Sequence, residues 1–177
     1  MTEGTLDGLK AMKVGVLFAL LSLLYGFGLG GVFGAAEDPL KAHLEQEGRA
    51  VFEAVYAGDQ AKLDAILSKS WVYFQRAHLH ANGLGTAALA MILLLACSGA
   101  VGPLERLTAA LLGIGALGYA SFWMFAGLRA PGLGSTGAAK EALGWLAIPT
   151  SGACMVGLIL VLFRFGRAAF AATARRA

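Results

Sequence analysis

The chain contains four long stretches without a formally charged side chain. Residues 14–36, 77–104, 107–128 and 142–163 carry no Asp, Glu, Lys or Arg, and they are 23, 28, 22 and 22 residues long. A helix of about 20 apolar residues, rising about 1.5 Å per residue, crosses a hydrocarbon core about 30 Å thick. The pattern predicts four membrane-spanning helices, at about residues 14–36, 77–101, 107–128 and 142–163.

The composition agrees with a membrane protein and excludes a second large soluble domain. Of the 177 residues, 58% are hydrophobic and 14% are charged, whereas about 25% of the residues in a soluble domain are charged. Backbone groups in lipid must bond internally, so spans are helices or closed barrels, and the apolar run at residues 91–95 does not alternate as a barrel strand does. We therefore expect an all-α integral membrane four-helix bundle forming one domain over residues 1–177.

The basic residues predict the orientation of the chain in the membrane. Lys10 and Lys13 precede the first span, and Arg106 lies between the second and third. Four arginines follow the last span: Arg164, Arg167, Arg175 and Arg176. The long connection at residues 37–76 has five basic but seven acidic side chains. Because basic residues next to span ends favour the cytoplasmic side, we expect both termini in the cytoplasm and the long connection outside.

The net charge of +3 does not indicate a nucleic-acid partner. The excess lies in the C-terminal arginines, where it is typical of the cytoplasmic anchor of a last span. Usage rich in Ala, Gly, Leu and Arg suggests a bacterial protein, and hence the inner membrane. The expected partners are the lipid bilayer and either a second copy of the chain or the subunits of a membrane complex.

The long connection between the first two spans has the pattern of a helical hairpin. Asp38 followed by Pro39 is typical of a helix start, and Gly58 followed by Asp59 indicates a stop and a new start. Residues 60–81 contain neither Gly nor Pro, so the second helix is expected to continue unbroken into the second span. We therefore predict an extracytoplasmic helical hairpin at about residues 38–76.

Two further segments carry helix-breaking residues. Residues 130–137 are rich in Gly and Pro and are expected to form a loop between the third and fourth spans. Pro149 is expected to break the fourth span, with Thr150, Ser151 or a neighbour bonding the freed carbonyl.

Small residues line one face of the first span near its end. Gly26, Gly30 and Gly34 are spaced four residues apart, a spacing that lets helices approach closely in lipid. We expect these glycines to pack helices together, either within the bundle or between two copies, with close approach to a flat cofactor as a third interpretation.

The segment at residues 76–82 carries most of the chemical information in the chain. Arg76, His78, His80 and Asn82 lie at the end of the second span, where ionisable residues indicate function. Residues two apart on a helix differ by about 200° around its axis, so His78 and His80 point to nearly opposite sides and cannot grip one metal together. Residues four apart share a face, which pairs His78 with Asn82 and Arg76 with His80.

Three interpretations of this segment remain open. The histidines could bond to headgroups, water or neighbouring helices. One of them could ligate haem b or a metal ion, with the other ligand from another span or subunit. The pair could also relay protons or contact a quinone or small solute. The candidate cofactor-binding residues are Arg76, His78, His80 and Asn82. The candidate metal ligands are His78, His80 and His43, because His43 in the hairpin is the only other histidine and could reach the site if the hairpin folds down.

The run Arg-Ala-His-Leu-His-Ala-Asn-Gly-Leu-Gly at residues 76–85 resembles the Ala-His-x-His opening of a helix in haem-copper-oxidase-like membrane proteins. The resemblance covers ten residues. Those families have further spans and further histidines that this chain lacks, so the resemblance carries none of their activity to it.

The pattern favours a non-enzymatic accessory or cofactor-contacting subunit of a membrane redox or metal-handling assembly. The alternative is a small-solute or ion transporter with its site between the spans near His80 and Pro149. An enzyme is the least favoured class, because no carboxylate lies within a predicted span to act as a base.

Overall fold

The computed structural model describes residues 3–99 and 101–174, and every regular element in this part of the chain is a helix. The all-α prediction is therefore confirmed. The helices in chain order are α1 (Glu3–Ala11), α2 (Lys13–Ala50), α3 (Phe52–Tyr56), α4 (Gln60–Cys97), α5 (Pro103–Leu133), α6 (Thr136–Ala142) and α7 (Gly144–Ala174).

Helix α2 joins the first predicted span to the first predicted hairpin helix across a kink, which lies next to the expected boundary at residues 37–38. The only non-helical residue inside α2 is Ala36, with φ −143° and ψ 32°. Pro39 has no N–H to donate to the carbonyl four residues earlier, and the distortion is confined to a kink at Ala36. The helix then ends at Ala50, and the short α3 replaces the rest of the predicted helix.

Helix α4 runs without a break from Gln60 to Cys97, in agreement with the absence of Gly and Pro from residues 60–81. The Asp59 side chain caps its start by accepting a hydrogen bond from the Lys62 N–H at 3.0 Å. The turn before it uses two left-handed residues, Ala57 and Gly58, with φ 52° and 74°. The helix ends at Cys97, earlier than the predicted residue 101.

The predicted loop at residues 130–137 is mostly helical. Helix α5 continues through Pro131 to Leu133, Gly134 ends it with φ 59°, and Ser135 caps α6 by accepting from the Ala138 N–H at 3.2 Å. Within residues 130–137, only residues 134 and 135 lie outside a helix. A proline in the last turn removes one hydrogen bond without ending the helix, and the left-handed glycine makes the stop.

Helix α7 also passes through its proline. Pro149 lies inside the helix, and the hydroxyl groups that follow it donate to carbonyls of the preceding turn: Thr150 to Leu146 at 2.6 Å, and Ser151 to Ile148 at 3.2 Å. The carbonyl that lacks a backbone partner because of Pro149 is that of Trp145, four residues earlier, so neither hydroxyl bonds the freed carbonyl, contrary to the expectation from the sequence.

Helix α5 is the centre of the bundle, because α2, α4 and α7 all pack against it. The closest approach is between α2 and α5, where a Cβ added to Gly15 would overlap the backbone of Ala109, and one added to Gly113 would overlap the carbonyl of Gly15. On another side of α5, Cβ atoms at Gly115 and Gly118 would overlap Cys154 and Thr150 of α7. Glycines therefore set the spacing of two helix pairs.

Each end of the bundle is closed by a contact between elements. At one end, Gly8 of α1 lies against Ala96 of α4, and Arg164 of α7 pairs with Glu105 of α5 at 2.6 Å. At the other end, the Tyr56 hydroxyl donates to the Pro131 carbonyl at 2.6 Å. Burial raises the pKa of the Tyr56 phenol.

Four helices are long and apolar enough to cross a membrane: α2, α4, α5 and residues 144–167 of α7. Large apolar side chains on them face outward, including Phe27 at 72% exposure and Ile148 at 75%. Such surfaces indicate contact with a lipid bilayer, because a water-soluble bundle buries its large apolar side chains. Length and composition therefore indicate a multi-pass membrane protein.

Candidate functional site

His78 lies on the side of α4 that faces α2. Its Nδ1 atom is 2.8 Å from the carbonyl oxygen of Gly26, and its ring is 5.8 Å from that of Phe33. A carbonyl oxygen can only accept, so Nδ1 carries the proton of this hydrogen bond. The imidazole covers the surface of α2 at Gly30, where an added Cβ would lie 2.9 Å from its Cε1 atom.

Asn82 lies one turn further along the same face of α4. Its Nδ2 atom donates to the backbone oxygen of His78 at 3.2 Å, and a Cβ added to Gly26 would lie 2.6 Å from its Oδ1 atom. This Oδ1 is buried and has no hydrogen-bond partner among the described residues. The side chains of His78 and Asn82 therefore fill the space that two glycines leave between α2 and α4.

His80 lies on the opposite side of α4, toward α5. Its Nδ1 atom donates to the backbone oxygen of Arg76 at 2.7 Å. Its ring packs edge-on against Tyr119 at 5.1 Å and is stacked with Trp123 at 6.0 Å between ring centroids. The Arg76 guanidinium lies over the same Trp123 ring at 4.8 Å and over Tyr73 at 5.5 Å.

These contacts define one cluster, which we call the His80 cluster, made of Tyr73, Arg76, His80, Tyr119 and Trp123. Arginine stacked on an aromatic face gains a cation–π interaction. The Trp123 Nε1 atom is buried and has no hydrogen-bond partner among the described residues.

An open, shallow cavity of about 280 Å³ adjoins this cluster, and it is lined by Leu79, His80, Gly83 and Leu84. No atom lies within 4 Å of a Cβ added to Gly83, and Leu79 is 65% exposed. The cavity is therefore a shallow depression on the apolar surface of α4, with the His80 imidazole at its edge.

The protonation pattern of His80 suits it to ligand contact. Because Nδ1 carries the proton donated to Arg76, the neutral ring has its lone pair on Nε2. No described residue forms a hydrogen bond with Nε2. A histidine that holds Nδ1–H against a carbonyl and leaves Nε2 open has the arrangement seen in metal ligands.

The structure does not bring the three histidines together. His78 and His80 contact different neighbouring helices, and His43 is exposed in the second half of α2. Within residues 3–99 and 101–174, no group of three or more His, Cys, Asp or Glu side chains is placed to hold a metal ion. That one of His43, His78 and His80 ligates a metal ion together with a group from another span or subunit stays a prediction.

The predicted glycine face is divided between two environments. Gly26 and Gly30 contact Asn82 and His78, whereas nothing lies within 4 Å of a Cβ added to Gly34. The first two glycines pack helices within the chain, and Gly34 faces open space.

Tyr73 is a member of this region that was not singled out from the sequence. Tyr73 is three residues before Arg76 and seven before His80, a spacing that puts it on the same helix face. Tyr25 donates to the Met124 sulfur at 2.8 Å and links α2 to α5. The sequence contains no signal for that contact, because it depends on which helices are neighbours.

Comparison of the chain with protein-family models, with curated proteins and with solved structures finds no match.

Proposed function

We propose that this chain is a polytopic, non-enzymatic subunit of a membrane redox assembly, and that it contacts the cofactor of that assembly through His80. The observation that carries the proposal is the open Nε2 atom of His80 at the edge of the cavity formed with Leu79, Gly83 and Leu84. The tautomer suits a metal centre of either kind, and the open, flat surface beside the imidazole favours a flat ring over a compact ion.

Haem b is the cofactor that this arrangement fits best. His80 would hold the haem iron through its ring nitrogen, and the bare surface at Gly83 would leave room for the macrocycle against the helix. The cavity is open on the side away from α4, so a second subunit or a second copy of this chain would complete the site.

The orientation of the chain belongs to the same proposal. Helix α4 has 38 residues, a length of about 57 Å, which exceeds a hydrocarbon core of about 30 Å. Its first half would extend beyond the membrane with α3 and the end of α2, as an extracytoplasmic helical hairpin. Both termini would lie in the cytoplasm of a bacterium, and His80 would sit near the outer surface of the inner membrane.

A transporter with its site between His80 and Pro149 is less well supported. His80 contacts α5 aromatics, Pro149 is exposed, and Thr150 beside it packs directly against Gly118. The region between His80 and the turn before Pro149 is filled by a hydrophobic cluster, in which Tyr119 and Trp123 pack with Leu146 and Ala147.

The test is the absorption spectrum of the full chain, purified in mild detergent from membranes that contain its partners. The wild-type protein should show a Soret band, and His80→Ala should remove it because the axial nitrogen is lost. His43→Ala is the matched control, since it deletes an exposed histidine and should leave the band unchanged. A colourless wild-type protein, or an unchanged band in His80→Ala, would contradict the proposal.

A further inference from the structure

The Arg76 side chain is exposed and forms no ion pair with any acidic residue that the structure describes. The ion pairs among the described residues join Lys10 to Asp7, Lys41 to Glu37, Arg49 to Glu45 and Arg164 to Glu105. The interactions of the Arg76 guanidinium are with aromatic faces, at 4.8 Å from the Trp123 ring centre and 5.5 Å from that of Tyr73. Stacking leaves the five N–H groups at the edge of the guanidinium plane available.

The position of this cation relative to His80 is fixed by the helix. The two residues are one turn apart, and the His80 ring is bonded to the Arg76 backbone oxygen at 2.7 Å. Both side chains pack on Trp123. Four residues of helix correspond to about 6 Å along the axis, so a ligand that touches His80 also reaches the guanidinium if it carries a group at that distance.

The ligand group that an open guanidinium fork selects is a planar or tetrahedral oxyanion. Carboxylates and phosphates accept two parallel hydrogen bonds from arginine, and such charge-assisted bonds are about twice as strong as neutral ones. Two aromatic faces hold the Arg76 side chain in place before a ligand arrives, which lowers the entropy lost on binding.

We infer that Arg76 binds an acidic group, a carboxylate or a phosphate, on the amphiphile that occupies the His80 site. The inference rests on the proposed function and adds the charge that the ligand carries. Two sources have this chemistry: the propionate groups of haem b and the phosphate of a membrane lipid.

The experiment compares haem b with its dimethyl ester, which has the same ring and iron but no negative charge. Both are titrated into the purified full chain in a zwitterionic detergent, and the Soret shift is followed. Arg76→Gln should weaken binding of the free acid by about tenfold to a hundredfold, as expected for a charge-assisted bond. The same substitution should leave binding of the ester unchanged.

Arg129→Gln is the matched control, since Arg129 is an exposed arginine six residues after Trp123 in α5, and it should change neither affinity. If the wild-type protein binds acid and ester equally and Arg76→Gln changes neither, the inference is overturned while the proposed function stands. If no haem binds in either form, the proposed function fails, and the lipid measurement decides the inference.

The lipid measurement is thermal stability with added phosphatidylglycerol or phosphatidylcholine. Stabilisation by phosphatidylglycerol that Arg76→Gln abolishes and Arg129→Gln retains would assign the acidic group to a lipid phosphate. Equal responses of the wild-type protein and Arg76→Gln to phosphatidylglycerol, without haem binding, would overturn the inference together with the function.

Discussion

His78 donates a hydrogen bond from Nδ1 to the backbone oxygen of Gly26 at 2.8 Å, and this bond joins two helices at positions 52 residues apart in sequence. The imidazole also fills the surface of α2 at Gly30. His78 therefore serves the packing of α4 against α2, while His80, two residues later, faces the aromatic side chains of α5.

The first prediction concerns the stability that His78 contributes. His78→Ala should lower the free energy of unfolding by about 1–3 kcal/mol, because it removes a hydrogen bond and leaves a cavity between α2 and α4. Thermal unfolding in detergent measures the effect. His43→Ala should stay within about 0.5 kcal/mol of the wild type, since that side chain is exposed. Equal losses in both variants would show that the contact to Gly26 is not stabilising.

The second prediction compares two glycines of the same helix. Gly26→Ala should destabilise the protein by about 1–3 kcal/mol, because the new Cβ would lie 2.6 Å from the Asn82 Oδ1 atom. Gly28→Ala makes the same chemical change where nothing lies within 4 Å, and it should be neutral or stabilising by up to about 1 kcal/mol. The two melting temperatures should therefore move in different directions, and a parallel shift would refute the packing described here.

The third prediction concerns two fully buried serines. The Ser22 hydroxyl donates to the Ala81 carbonyl at 2.9 Å, whereas the Ser70 hydroxyl has no hydrogen-bond partner among the described residues. Ser22→Ala should cost about 1 kcal/mol, and Ser70→Ala should be neutral or stabilising, because it removes a buried polar group that is not satisfied. Denaturant or thermal unfolding of both variants, side by side, checks the sign of the difference.

The fourth prediction concerns the ion pair between α5 and α7. Glu105 is 4% exposed, lies 2.6 Å from Arg164 and also accepts the Gly102 N–H at 2.8 Å. Glu105→Ala should lower stability by about 2–4 kcal/mol, near the range for breaking a buried pair. The exposed pair of Asp7 and Lys10 is the control, and Asp7→Ala should cost less than about 1 kcal/mol.

A double-mutant cycle separates the pair from the cap in this fourth case. If Arg164→Ala added to Glu105→Ala costs almost nothing further, the two side chains act together. Fully additive losses would mean that Glu105 acts through its bond to the Gly102 N–H alone.

The four long helices could be predicted because lipid imposes a simple rule on composition, and charge-free windows of at least 22 residues obey it. The separation of His78 and His80 onto different faces also follows from helix geometry alone. Both results depend only on distances along one helix, which the sequence contains directly.

Helix pairing could not be predicted in the same way. The close approach of Gly15 to Ala109 and Gly113 depends on which helix lies beside α2. In retrospect, the small residues Gly15, Ala19, Ser22 and Gly26 form a stripe with spacings of four, three and four, and all are buried. The helical continuation through Pro131 could not be predicted, because a proline in the last turn of a helix and a proline in a loop look alike in sequence.

The central place of α5 bears on how the chain assembles during synthesis. Each of the helices α2, α4 and α5 packs against the other two, whereas α7 packs chiefly against α5. During synthesis, α2, α4 and α5 can thus pack together before α7 leaves the ribosome, and α7 then docks onto α5. We accordingly expect residues 1–143 and 144–177, expressed as separate polypeptides in one cell, to associate and form the same helix bundle.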